Sequence, residues 1–180
     1  MTTTLEKTKW ALDLSHSEVG FKVKHLMITN VSGAFEKFNV EVEASDDTFA
    51  DAEIKFTADI DSITTYSEQR DAHLKGAEFF DAEKYPHMTI EATGLEGTGE
   101  SRKINANITL HGVTKTIPFQ VDFGGVAKDP WGNTKAGFSI NGKINRKDFG
   151  LNWNAPTEAG GVLVSEEVRI HAEIQLLKQA

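Results

Sequence analysis

Cysteine is absent from the 180-residue chain. That one absence excludes disulfide scaffolds, thiolate zinc sites, iron–sulfur clusters and cysteine nucleophiles together. Long apolar runs are missing too: nowhere do the about 18 consecutive apolar residues of a membrane-spanning helix occur. The opening Met1-Thr2-Thr3-Thr4-Leu5-Glu6-Lys7-Thr8-Lys9-Trp10 lacks the apolar segment of a secretory signal. A cytoplasmic location is therefore expected, or a periplasmic one if a leader has been removed. Positive charge is scarce, with 19 Lys and Arg against 27 Asp and Glu and a net charge of -8. Gripping a nucleic-acid backbone or an anionic membrane needs clustered cations, so no nucleic-acid partner and no stable membrane insertion are expected. Polar rings are few, with 2 Tyr and 3 Trp against 11 Phe. Rings without a polar handle suit a dry interior or a dry cavity.

What is present is an ordinary globular composition, 39% hydrophobic and 26% charged, of a size that fits one domain at the usual roughly 100–200 residues each. No linker, repeat or charge block divides residues 1–180, and residues 1–9 read as a loose N-terminal extension. Apolar and polar residues alternate through most of the chain, the period of a strand with one buried face. The alternation runs through Val19-Phe21-Val23, Val40-Val42, Ile54-Phe56-Ala58-Ile60, Met88-Ile90-Ala92 and Ile104-Ala106-Ile108-Leu110. It continues through Ile117-Phe119-Val121-Phe123, Ala136-Phe138-Ile140-Gly142 and Val168-Ile170-Ala172-Ile174-Leu176. These predict eight strands, broken at Gly94 to Gly99, His111-Gly112, Asp129 to Asn133 and Gly160-Gly161. One helix is predicted over Ser67 to Gly76, with Ser67 as N-cap and Gly76 as stop, and a short turn at His25 to Ile28. Short loops imply antiparallel pairing, and the matching first and last strands favour closure into a barrel over a sandwich. The expected fold is all-β, an eight-stranded antiparallel barrel.

Two segments mix polar and apolar residues beyond what strands require: Thr64 to Tyr66 continuing through Arg70-Asp71-Ala72-His73-Leu74, Phe79-Phe80-Asp81 and Tyr85-Pro86, and Asn145 to Trp153. In each, an arginine fork beside a carboxylate could take a phosphate or carboxylate head group. The plainer reading is that Arg70–Asp71 and Arg146–Asp148 are structural ion pairs. The six histidines have no metal-ligand spacing, and His25 and His73, beside apolar residues at an expected rim, are the best candidates for a role. Gly-x-Ser-x-Gly, Gly-x-Gly-x-x-Gly and P-loop motifs are absent. A converging glycosidase carboxylate pair can be neither picked out nor dismissed among so many alternating acids.

Those motifs carry a resemblance. Trp10, Asp13-Leu14-Ser15-His16-Ser17-Glu18-Val19-Gly20-Phe21-Lys22-Val23-Lys24-His25-Leu26-Met27 and Val31-Ser32-Gly33-Ala34-Phe35 resemble the N-terminal signature of the YceI-like polyisoprenoid-binding family. Ser62 to Thr65, Arg70 to Leu74, Phe79 to Asp81, Tyr85-Pro86, Leu110 to Lys115 and Asn145 to Leu151 extend it over nearly the whole chain. The resemblance implies a lipocalin-like eight-stranded barrel with a short helical cover and an elongated apolar pore. It also implies a non-enzymatic role in binding, sequestering or transporting a long-chain isoprenoid or acyl lipid such as a polyprenyl diphosphate, a prenylated quinone or a fatty-acid derivative. Homodimers occur in the family, many relatives carry a secretory leader, and no cofactor is implied.

The expected pore lining is Phe21, Val23, Phe38, Phe56, Ile60, Phe80, Ile108, Phe119, Phe138, Ile140 and Trp153, although alternation alone does not distinguish a lined pore from a filled core. Head-group candidates are His25, Arg70, His73 and Arg146. Two other functions stay open on sequence: an enzyme acting on an isoprenoid-like substrate with His73 or His25 as base, and a stress-related interaction protein with a filled barrel.

Overall fold

The computed structural model describes residues 6–155, 157 and 161–179. Residues 1–5 of the expected extension and Gly160 of the expected turn pair lie outside the described residues. Eleven strands are described: β1 Thr8–Leu12, β2 Glu18–His25, β3 Thr29–Phe35, β4 Phe38–Ala44, β5 Glu53–Asp59, β6 Ile63–Thr64, β7 His87–Thr93, β8 Ser101–Leu110, β9 Val113–Lys128, β10 Thr134–Asn145 and β11 Val164–Lys178, with one α-helix, α1, Glu68–Lys75. Thr8 and Lys9 are strand rather than loose extension, paired with Ala44 and Glu43 of β4.

Eleven strands make eight staves because three staves are interrupted. β1 and β2 run successively along β11, Leu12 opposite Leu176 and Glu18 opposite Glu173, with the surplus residues taken up in a 3-10 turn at Leu14–His16. β3 and β4 form the next stave, broken at Glu36 and Lys37, and β5 and β6 the third, broken by a 3-10 turn at Ile60–Ser62. Every stave pairs antiparallel with its sequence neighbour, and β11 closes on β1 and β2. The result is a closed up-and-down barrel of eight antiparallel staves, an arrangement that leaves no open sheet edge.

Alternation drives the closure. In β8 the side chains of Ile104, Ala106, Ile108 and Leu110 are buried, while Lys103, Asn105 and Asn107 face water. Two inward glycines make room for rings: a Cβ at Gly33 would overlap the Phe21 ring opposite it, and one at Gly142 would overlap Phe119. Helix α1 begins where the Ser67 hydroxyl accepts from the Arg70 amide and stops where the Gly76 amide donates to the His73 carbonyl, 3.1 Å away. None of its residues is fully buried. It lies over one end of the barrel as a cover and contributes little core.

The other end is plugged. Phe49, 1% exposed, comes from the β4–β5 connection and places its ring 5.1 Å from Trp10, 5.1 Å from Phe138 and 5.6 Å from Phe123. The Arg102 guanidinium lies over Phe123 at 5.3 Å and donates to the Gly99 and Thr48 carbonyls at 2.8 and 2.9 Å. That pins the β4–β5 and β7–β8 connections over the plug.

Candidate functional site: the barrel cavity

Between plug and cover lies a cavity of about 910 Å³, near the upper limit of the about 300–1,000 Å³ usual for small-molecule sites. Its wall runs from Phe49, Leu95 and Leu176 at the plugged end to Gln69 and His73 of α1 and Trp153 beside them. Along β11 the wall extends from Val164 to Leu176, which at about 3.3 Å per residue and the usual tilt of barrel strands gives an axial length of roughly 30 Å. The middle is hydrocarbon throughout, formed by side chains such as Val40, Ala106, Ile108, Val121 and Ala172. The ionisable wall residues, Lys24, His25, Arg70, His73 and Arg146, all stand at the α1 end. The cavity is therefore polar at one end and dry at the other.

Nine of the eleven sequence-predicted lining residues are in the wall: Phe21, Val23, Phe56, Phe80, Ile108, Phe119, Phe138, Ile140 and Trp153. Phe38 and Ile60 are not. Phe38 starts β4 beside the stave break and stacks on the Phe56 ring at 6.0 Å, so Phe56 holds the wall there. Ile60 leaves the strand period in the 3-10 turn and is fully buried, its amide donating to the Pro86 carbonyl at 2.9 Å.

The four head-group candidates converge on the mouth but differ in what they have left to offer. Arg146 is 3% exposed, and its fork is spent on backbone. Nε donates to the Ser165 carbonyl at 2.8 Å, Nη1 to Leu151 and Trp153 at 2.6 and 2.8 Å, and Nη2 to Val164 at 3.3 Å. Burial pushes its pKa down from the ordinary value, with Glu166 opposing the shift. Arg146 thus ties the β10–β11 connection to β11. Arg70 is exposed and gives Nε to the Thr65 hydroxyl at 2.7 Å and Nη2 to the Thr65 carbonyl at 2.5 Å, while Nη1 makes no hydrogen bond among the described residues. Thr65 in turn donates its amide and hydroxyl to Asp71 at 2.8 and 2.5 Å. Among the described residues neither Arg70–Asp71 nor Arg146–Asp148 forms the ion pair that sequence adjacency suggests.

His73 Nε2 lies 2.8 Å from Glu78 Oε2, and its ring meets Trp153 and Phe79 edge-on at 4.9 and 5.2 Å. His25 ends β2 half-buried in the wall, with no side-chain hydrogen bond among the described residues. His25, Gln69 and Lys24 are the polar side chains at the mouth least committed to the protein among the described residues. Sequence reasoning missed Gln69 and Phe49. Phe49 is a lone ring in the polar run Asp46-Asp47-Thr48, and an isolated aromatic inside a turn was the only available signal.

The YceI-like domain matches residues 10–176. The chain belongs to the YceI-like family. Among its relatives, the UPF0312 protein SA2479 of Staphylococcus aureus (strain N315) is 34% identical over 169 residues, 93% of this chain and 96% of that protein. The crystal structure of a Campylobacter jejuni YCEI protein superposes with a TM-score of 0.74 at 33% identity, covering 100% of both chains. BcnA of Burkholderia cenocepacia has a TM-score of 0.76 at 23% identity, over 91% of this chain and 98% of its own. A polyisoprenoid binding domain from Saccharophagus degradans, implicated in plant cell wall breakdown, has a TM-score of 0.67 at 16% identity, over 94% and 98%. In the last two the likeness is one of fold. The closed eight-stave barrel expected from sequence is the YceI-like fold, and the mouth motifs around Arg70 and Arg146 lie within the matched span.

Proposed function

We propose that this YceI-like barrel binds a long-chain amphiphile, a polyisoprenoid, prenylated quinone or fatty-acid derivative, and sequesters or carries it without catalysing a reaction. The observation that carries this reading is the graded cavity: about 910 Å³ of hydrocarbon wall, plugged at one end, with its ionisable groups confined to the other. Such a wall favours a tail, since each buried methylene contributes about 0.8 kcal/mol. The polar mouth favours a head group held near water. The likeness of fold to a polyisoprenoid binding domain supports the same reading.

His25 and Arg70 are the proposed head contacts, with His73 orienting the rings beneath them. Arg146 shapes the mouth through its carbonyls. A binding role is also favoured over catalysis because the His73–Glu78 pair sits on the rim and the Ser67 hydroxyl is used as the α1 cap.

Native mass spectrometry of detergent-free protein, followed by solvent extraction, tests the proposal. The expected result is a near-stoichiometric long-chain lipid, lost in Ala106→Trp, which fills mid-barrel while circular dichroism stays that of a β-barrel. An empty wild-type protein that also rejects added prenyl and acyl lipids would overturn it.

A further inference from the structure

The cavity mouth carries an exposed apolar projection. The β2–β3 turn consists of Leu26, Met27 and Ile28, and all three are exposed, Ile28 at 78%. Leu26 and Met27 adopt left-handed backbone, φ 53° and 60°, which side-chain-bearing residues rarely take up. Glycine or asparagine would suit such a turn better, and both would be more soluble. The Leu26 amide donates to the Leu163 carbonyl at 2.8 Å, which sets exposed Val162 beside the turn. The immediate neighbours of these tip residues, His25 and Leu163, line the cavity. The projection and the mouth are therefore continuous.

Cations stand near the tip. Lys22 and Arg169 face one another across β2 and β11, and Lys24 follows on the same hairpin. Among the described residues none of the three is in an ion pair, whereas nearby Lys143 and Lys147 are paired with Glu167 and Glu166. Two cations placed directly opposite cost stability, and Glu166 and Glu167, which share a surface cleft with Lys22, Lys24 and Arg169, are paired among the described residues with Lys147 and Lys143 instead. An apolar tip beside three cations that form no ion pair among the described residues has the composition of an interfacial lipid contact. The net charge of -8 disfavours indiscriminate approach to an anionic bilayer, so a contact at the tip depends on these local cations.

We propose that the β2–β3 turn with Val162 inserts into the headgroup layer of an anionic bilayer, with Lys22, Lys24 and Arg169 on the lipid phosphates, and seats the cavity mouth against the source of its ligand. A bilayer fits better than a protein partner because the tip is a convex three-residue turn, whereas stable protein interfaces take about 800 Å² from each side. The purpose of the contact rests on the lipid-binding reading above, but the contact itself is tested separately.

The test is flotation of the full chain with phosphatidylcholine vesicles, with and without phosphatidylglycerol. Ile28→Asp should lower partitioning onto the anionic vesicles about tenfold. Lys22→Gln and Lys24→Gln should each lower it about fivefold there, with little change on phosphatidylcholine alone. Trp131→Asp is the matched control, because Trp131 is 83% exposed in the β9–β10 turn at the plugged end and should have no effect.

Absence of wild-type partitioning, or equal loss in Ile28→Asp and Trp131→Asp, overturns the proposal. It is also overturned if Ile28→Asp changes the molar mass by light scattering and not the partitioning, which would make the tip a protein interface. Protein that carries lipid by mass spectrometry yet ignores vesicles refutes the tip alone. Protein that partitions but is empty and rejects added lipids refutes the binding function alone.

Discussion

Each end of the barrel has a buried arginine pinning backbone carbonyls, and the two ends nonetheless have opposite characters. At the plugged end Arg102 holds Thr48 and Gly99 while lying over Phe123. At the mouth Arg146 holds Leu151, Trp153, Val164 and Ser165. The difference lies in what the pinned segments deliver. The Thr48 segment inserts Phe49 among Trp10, Phe123 and Phe138, and the bore is filled with ring. The Trp153 segment sets its ring against His73 and Phe79 at the side, and α1 above it has no fully buried residue. A closed barrel thus becomes a one-ended container through a single inserted aromatic, while each arginine ties together the connections at its rim.

The sharpest way to break that contrast is Phe49→Ala. Truncating a fully buried ring costs about 3–5 kcal/mol, the largest effect expected from any single change here, and it should turn the container into a tube. Urea unfolding reads the stability, and bound lipid per protein reads the leak. A loss below about 1 kcal/mol would mean that the plug is not a structural element.

Next in size is Arg146→Met, which strands buried carbonyls and should cost about 3 kcal/mol. Arg146→Lys should not restore it, because a single ammonium cannot reproduce the fork. Exposed Arg70 provides the comparison: Arg70→Gln should cost no more than about 1 kcal/mol while weakening lipid binding. If Arg70→Gln leaves affinity and lipid choice unchanged, its role at the head group is gone. If Arg146→Met lowers affinity at unchanged stability, the two roles are reversed.

The contrast between the ends was only half legible in the sequence. Alternation in β8, β10 and β11 showed the staves plainly, because their inward positions are nearly all apolar. It did not show β3, where the inward Gly33 is a glycine only because the Phe21 ring opposite needs the space. Period also overran into Ile60, since nothing local marks the 3-10 turn that takes it out of the wall. The mouth motifs were visible as chemistry but not as assignment. Arg146 beside Asp148 looks like an anion fork, and its true partners are carbonyls at Leu151, Trp153, Val164 and Ser165, a relation made by chain folding and written in no side chain. The plug was the least legible part, for Phe49 has no periodic context.

The smallest effect is a pH dependence that should separate the two ends. Asp13, in the break between β1 and β2, accepts from Lys135 Nζ, Ser15 Oγ and Gln175 Nε2, each at 2.9 Å. Lys135 above all, against the opposing effect of burial, holds its carboxyl well below the usual carboxylate range, and Asp13 raises the Lys135 ammonium in return. A carboxyl lowered in the folded state adds stability that is complete above its unfolded value of about 3.9 and is lost as pH falls through the folded value. The raised Lys135 adds stability that is complete below about pH 10 and lost only in stronger base. Neutral pH therefore sits on a plateau, and the erosion begins in acid below about pH 4.

This cluster ties the first stave to β10 and β11 near the plugged end. At the mouth the only lowered carboxyl among the described residues is Glu166, which Lys147 lowers, and its side chain is half exposed and open to screening. Hydrogen exchange at about pH 3 against neutral pH should show the β1–β2 break loosening before the mouth does. Asp13→Asn should cost about 1 kcal/mol at neutral pH and flatten that acid slope. Equal loosening at both ends, or an acid slope unchanged in Asp13→Asn, would show that acid acts on the barrel as a whole and that the plugged end owes nothing special to this cluster.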